Sequence, residues 1–161
     1  MGAGKSSVGK QLAKLTGKTW YDSDAEIKNR TGVPLAWIFE TEQEAGFRLR
    51  EHMIIEELSR LNNIILSTGG GSIVSHENRT ILKDRGFVAY LKVSLDEQLH
   101  RTSVHKETRP LIDLPDPKPK LIELNTERTP LYESIADMVC DTDKLTPKKV
   151  AEKIYAAYQL T

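Results

Sequence analysis

Cysteine is nearly absent: Cys140 stands alone in 161 residues. That excludes an internal disulfide and a cluster of thiolate metal ligands, and it fits a reducing compartment, so the cytoplasm is the expected location. Aromatic residues are scarce at 6%, and the 23 Lys and Arg residues are balanced by 23 Asp and Glu. The chain therefore offers no stacking platform or phosphate track for nucleic acid, and no polybasic face for a membrane. No apolar run is long enough for a membrane span or a leader peptide. Internal repeats are missing too, and the one composition shift, the Pro and Lys cluster at 115–120, marks a loop and not a domain boundary. With 39% hydrophobic residues, residues 1–161 are expected to bury one core as a single domain.

Short apolar runs alternate with amphipathic stretches. Residues 6–15 read as a helix with Val8, Leu12 and Leu15 on one face and Gly17 placed to end it. Residues 19–21 read as a buried strand, followed by a helix over 25–30 that Asp24 can cap. Thr41 and Glu44 form a capping box for a long helix toward Leu61, with Phe47, Met53, Ile54 and Leu58 facing inward. A strand at 64–66 runs into Gly69-Gly70-Gly71, and Ser75 caps a helix that stops at Gly86. A strand at 87–91, a helix opened by Ser94 and Glu97, two more helices and a strand at 138–140 complete the order. Strands without a polar face, alternating with helices, predict an α/β fold: a three-layer α/β/α sandwich around a parallel sheet.

The first residues, MGAGKSS, carry the sharpest chemistry. A phosphate-binding loop G-x-x-x-x-G-K-[ST] needs glycines so that backbone N–H groups can turn toward phosphate oxygens at a helix N-terminus. Met1 to Ser6 supply the last six of those eight positions. Gly2, Ala3, Gly4, Lys5, Ser6 and Ser7 are the expected ATP cradle, with Lys5 along the β and γ phosphates and the Ser6 hydroxyl on Mg²⁺. The plain alternative is a flexible glycine-rich terminus before an ordinary helix. The motif's first glycine and preceding strand are not in the sequence, so about eight to ten further residues are expected upstream.

No N-K-x-D segment is present, which weighs against a guanine-specific switch protein, and the strand at 64–66 has no terminal Asp for magnesium. The carboxylates instead follow the strand at 19–21, on the rim where open α/β sheets bind ligands. Asp22 is placed for Mg²⁺, and Asp24 either turns toward an acceptor hydroxyl or simply caps its helix.

The segments GAGKSS, YDSDAEI, FRLRE, STGGGSI, RPL and RTPLYESIAD, in that order along essentially the whole chain, resemble the shikimate kinases, most nearly the type I bacterial form. The resemblance implies a P-loop NTPase fold of the nucleoside monophosphate kinase-like kind, a monomer, and the substrates ATP, with Mg²⁺, and shikimate. The implied reaction is transfer of the γ-phosphate to the shikimate 3-hydroxyl, giving shikimate 3-phosphate and ADP on the route to chorismate and the aromatic amino acids. By motif match, Arg48 and Arg128 hold the substrate carboxylate, and Asp24 with the backbone of Gly70 and Gly71 holds the hydroxyls, within substrate-binding helices at about 24–61. Taken singly, each arginine reads as a surface charge and the glycines as a turn; the joint pattern reverses that. Residues 102–116 resemble the family's lid, which would bring Arg109 onto the transferring phosphate as a third catalytic residue beside Lys5 and Asp24. Adenine contacts are implied for Arg101 with Thr102 and for the loop 143–147, where Leu145 replaces a usual polar residue and is left with backbone or packing contacts. Two other readings remain: a kinase for gluconate or another small hydroxylated metabolite, and a nucleotide-binding module without catalysis.

Overall fold

The computed structural model describes residues 2–104 and 114–161. The elements run α1 (Lys5–Thr16), β1 (Thr19–Asp22), α2 (Ser23–Thr31), α3 (Leu35–Leu58), β2 (Ile64–Ser67), a 3₁₀ turn (Ser72–Val74), α4 (His76–Arg85), β3 (Ala89–Lys92), α5 (Leu95–Val104), α6 (Lys118–Ile135), β4 (Met138–Asp141) and α7 (Pro147–Tyr158). The alternation read from the sequence is therefore present, with every pairing parallel. β1 pairs with β2 from Thr19 opposite Ile64 to Asp22 opposite Ser67, and β3 pairs with β4 from Ala89 opposite Met138 to Lys92 opposite Asp141. The sheet is divided, however: among the described residues the two pairs form separate two-stranded ladders. A cavity of about 180 Å³ runs along β3, lined by residues 88–93, by Thr68 to Gly70 beyond β2, and by Ala3 and Lys5 of the first loop.

Helices cover both sides of the strands. On one side Val8 of α1 and Val150, Ala151 and Ile154 of α7 bury against Cys140, with Phe87, Ala89, Leu91 and Met138 packed around them. On the other, Ile27 of α2 and Ile38, Phe47, Ile54 and Leu58 of α3 close over Tyr21, Ile64 and Leu66. Leu121 and Leu124 of α6 pack with Leu95 and Leu99 of α5. Not every predicted inward residue is inward: Leu15 is 45% exposed and Met53 is 61% exposed. Ile38 and Ile55, both at 0%, fill the space instead.

The helix ends follow local chemistry. Gly17 closes α1 and Gly32 closes α2 with left-handed backbone, as glycine permits. Ser75 accepts from the Asn78 N–H and Ser94 from the Glu97 N–H, as read from the sequence. Two expected caps are corrected. Asp22, not Asp24, caps α2, because its Oδ1 accepts from the N–H groups of Asp24 and Ala25. Thr41 caps nothing: α3 begins earlier, at Leu35, and the Thr41 hydroxyl donates back to the Trp37 carbonyl within the helix. An interruption of α3 does fall nearby, at Gln43, whose φ is 59° and ψ −175°.

Gly9 marks the closest approach of α1 to the first pair of strands. A Cβ there would lie 2.4 Å from Trp20 Nε1 and 2.6 Å from Ser67 Oγ, two groups already joined by a 3.0 Å hydrogen bond. Gly9→Ala is expected to cost about 1–3 kcal/mol by overpacking, despite the better helix propensity of alanine. Urea denaturation checks this, and unchanged or raised stability would contradict the packing described.

Candidate active site

The phosphate side is built from the first turn of α1. Gly2 (φ 68°) and Gly4 (φ 81°) both take left-handed backbone, the alternation that turns successive N–H groups toward one point. Gly4 is the N-cap of α1 and has no side-chain cap, so the helix N-terminus is left to an anion. The loop is tied down from two directions. Ser67 Oγ donates to the Lys5 carbonyl at 3.2 Å, fixing it to the end of β2. Arg101 of α5 donates through Nη1 to the Gly2 carbonyl and through Nη2 to the Thr142 carbonyl, both at 3.1 Å, while Nε is paired with Glu97 at 2.7 Å. Arg101 is thus a strut between the first loop and the end of β4. The Leu145 side chain, partly buried, packs against the cluster that holds Val8 and Cys140.

Asp22 joins this side to the next. Its Oδ2 accepts the Ser6 hydroxyl at 2.6 Å while its Oδ1 caps α2. Ser6 and Asp22, both expected at the metal, are therefore in contact and present hard oxygen donors of the kind Mg²⁺ takes alongside waters and phosphates.

On the far side of Asp22, α2, α3 and α6 converge on Gly69 to Gly71. Arg48 Nη1 pairs with Glu51 Oε2 at 2.7 Å, and its Nε and Nη2 reach Glu44 Oε1 at 3.2 and 2.8 Å. The guanidinium lies flat against Gly71, where a Cβ would meet Nη2 at 2.2 Å. Gly69 is equally constrained, since a Cβ there would stand 2.6 Å from Glu51 Oε1 and 2.8 Å from Asp24 Oδ1. These two close approaches are why the sequence has glycine at both places. Arg128 comes in from α6, only 7% exposed. Three buried atoms have no hydrogen-bond partner among the described residues: Asp24 Oδ1, Glu51 Oε1 and Arg128 Nε. Two acceptors and a donor left unpaired are a polar ligand's complement.

The geometry thus brings Lys5, Ser6, Asp22, Asp24, Arg48, Gly70, Gly71 and Arg128 around one space. Lys5 is close enough to Asp24 for its charge to pull the Asp24 pKa down. Burial outweighs this and, helped by Asp22, raises Asp24 above the ordinary carboxylate value. Arg109 lies outside the described residues, as does most of the proposed lid.

A shikimate kinase family model matches residues 1–159. The chain belongs to the shikimate kinase family. It is 52% identical over 155 residues to the shikimate kinase of Coxiella burnetii, covering 96% of this chain and 87% of that one. The Actinobacillus pleuropneumoniae shikimate kinase is 48% identical over 154 residues, 96% of this chain and 88% of its own. Among solved structures, the shikimate kinase of Acinetobacter baumannii in complex with shikimate superposes with a TM-score of 0.95 at 41% identity, covering 99% of this chain and 89% of that one. The Aquifex aeolicus enzyme superposes with a TM-score of 0.82 at 30% identity, with 99% and 91% covered.

Ser23 and Glu51 were missed by the sequence reading. Ser23 is fully buried, and its Oγ accepts the Gly69 N–H at 3.0 Å. Glu51 lies within the FRLRE segment three residues after Arg48, the spacing of a helix pair, and that was its only signal. Burial pushes the Glu51 carboxyl up to about 7, with Asp24 adding to the rise and Arg48 and Arg128 opposing it. Folding therefore favours its neutral form relative to the unfolded value of 4.5. That contribution is complete below the unfolded value and is lost as pH rises through about 7. Glu51→Gln should flatten the fall in stability between pH 5 and 8, by an amount on the order of 3 kcal/mol at most. Chemical denaturation across that pH range is the measurement.

Proposed function

We propose that this chain transfers the γ-phosphate of ATP to the 3-hydroxyl of shikimate. The carrying observation is the trio of unpartnered buried atoms, Asp24 Oδ1, Glu51 Oε1 and Arg128 Nε, gathered beside a glycine loop and next to a phosphate-loop lysine. A substrate with one carboxylate and ring hydroxyls supplies an acceptor for the arginine and donors for the carboxylates. Family membership and the shikimate complex of the Acinetobacter relative support the same reading.

In this reading Arg128 and Arg48 bind the carboxylate. Glu51 and Glu44 fix the Arg48 fork, and Asp24 Oδ1 accepts from the hydroxyl that is to be phosphorylated. Phosphoryl transfer has a loose transition state that asks more of positioning and charge stabilisation than of a strong base, so Asp24 chiefly orients. Lys5 and the α1 N-terminus stabilise the charge spread over the phosphoryl oxygens. Ser6 and Asp22 would hold Mg²⁺, which would supply further charge neutralisation at the phosphates. Arg109 is assigned to the same transferring phosphate by motif alone. A monomer in the cytoplasm is the accompanying proposal, and among the described residues no helix is long and apolar enough to cross a membrane.

A coupled ADP-release assay with shikimate and gluconate side by side tests the reading; turnover of gluconate at equal or greater kcat/KM would replace it. Lys5→Ala should lower kcat/KM by roughly 2–4 kcal/mol, the scale of one preorganised donor. Asp24→Asn should cripple turnover and leave ATP affinity nearly unchanged. Parallel loss of both would move Asp24 to the metal or to the fold.

A further inference from the structure

The Gly69 to Gly71 loop is held by main-chain bonds at two of its carbonyls. Gly69 O accepts from the Ser72 N–H at 3.2 Å and the Ser72 hydroxyl at 2.7 Å, and Gly71 O accepts from the Val74 N–H at 3.1 Å. The middle carbonyl is held from elsewhere: the Tyr132 hydroxyl of α6 donates to Gly70 O. Tyr132 is itself immobilised. Its ring stacks on Tyr90 of β3 with centroids 4.8 Å apart and planes at 18°, and burial pushes its hydroxyl up to about 12, so it remains a proton donor at any working pH. It lies four residues after Arg128, on the same face of α6, and the two side chains interact.

A trans peptide is planar, and its C=O and N–H point in opposite directions. Fixing the Gly70 carbonyl therefore fixes the Gly71 N–H, which faces away from Tyr132. Neither glycine has a side chain that could fix this peptide locally, and glycine leaves the backbone torsions on either side of the Gly70–Gly71 peptide permissive. We propose that Tyr132 is a positioning residue of the acceptor site, whose hydroxyl sets the orientation of the Gly70–Gly71 peptide and locks it to the helix carrying Arg128. The carboxylate clamp and the hydroxyl-binding backbone then move as one body, which sets how well a ring carrying both groups is bound. This rests on the assignment of Arg128, Gly70 and Gly71 to shikimate.

The test is steady-state kinetics on wild type, Tyr132→Phe and Tyr90→Phe, varying shikimate and ATP separately. Tyr132→Phe keeps the stacked ring and removes only the hydroxyl. The expected result is a rise in KM for shikimate of about 3- to 10-fold, the scale of one neutral hydrogen bond, with KM for ATP within two-fold. Tyr90→Phe, which leaves the Gly70 bond in place, should leave both KM values unchanged. KM does not depend on the folded fraction, so loss of stability alone cannot imitate this split. The proposal is overturned by an unchanged shikimate KM in Tyr132→Phe, by parallel rises for both substrates, or by the same rise in Tyr90→Phe. Failure of the underlying assignment is a different result: wild type that does not turn over shikimate.

Discussion

Asp22 sits at the end of β1, where its two carboxylate oxygens face two different helices. One takes the hydroxyl of Ser6 from the first turn of α1, and the other takes the opening N–H groups of α2. The phosphate loop and the helix that carries Ser23 and Asp24 are thereby referred to a single group. Ser23 then passes the constraint on, since its buried hydroxyl holds the Gly69 N–H. A shared anchor at the strand end fixes the first turn of α1 relative to α2 and the Gly69 loop better than two independent loops could.

The space between α2, α3 and α6 is lined by ionisable groups that are costly to bury. Glu51 is at 0% exposure and Arg128 at 7%, and each retains an unpaired atom. Such groups contribute little to stability; what they contribute is definition. The Glu44–Arg48–Glu51 triad fixes a planar fork in one orientation, and glycine at 69 and 71 lets carboxylates and guanidinium approach the backbone more closely than any side chain would allow. Stability is supplied elsewhere, by the apolar clusters of α1 with α7 and α2 with α3.

Element order, strand direction and most helix ends were legible because they depend on local chemistry: short apolar runs, glycines after helices, and Ser75 and Ser94 as caps. What was not legible depends on tertiary partners. Asp22 and Asp24 are chemically alike in sequence, and only the position of β1 decides which of them caps α2. Leu145 packs, partly buried, against the cluster that holds Val8 and Cys140, and Leu15 and Met53 were left outside because helical spacing fixes a face but not what covers it. The division of the sheet into two ladders could not be read from strand patterns, which say nothing of neighbours. Arg48 and Arg128 were singled out by motif, whereas Glu51 and Ser23 stand out through burial, which appears only in three dimensions.

Gln43 carries a different kind of information. Its backbone, with φ of 59° and ψ of −175°, lies near a region populated almost wholly by glycine, in the middle of what is otherwise one helix. The usual ranking of residues in a helix inverts at such a place: alanine, elsewhere the best choice, must share the strain, and glycine, elsewhere among the worst, relieves it. The two halves of α3, residues 35–42 and 44–58, are accordingly set by one joint and by what crosses it, the Glu42–Arg50 ion pair at 2.7 Å and the Phe39–Phe47 ring stack at 4.5 Å.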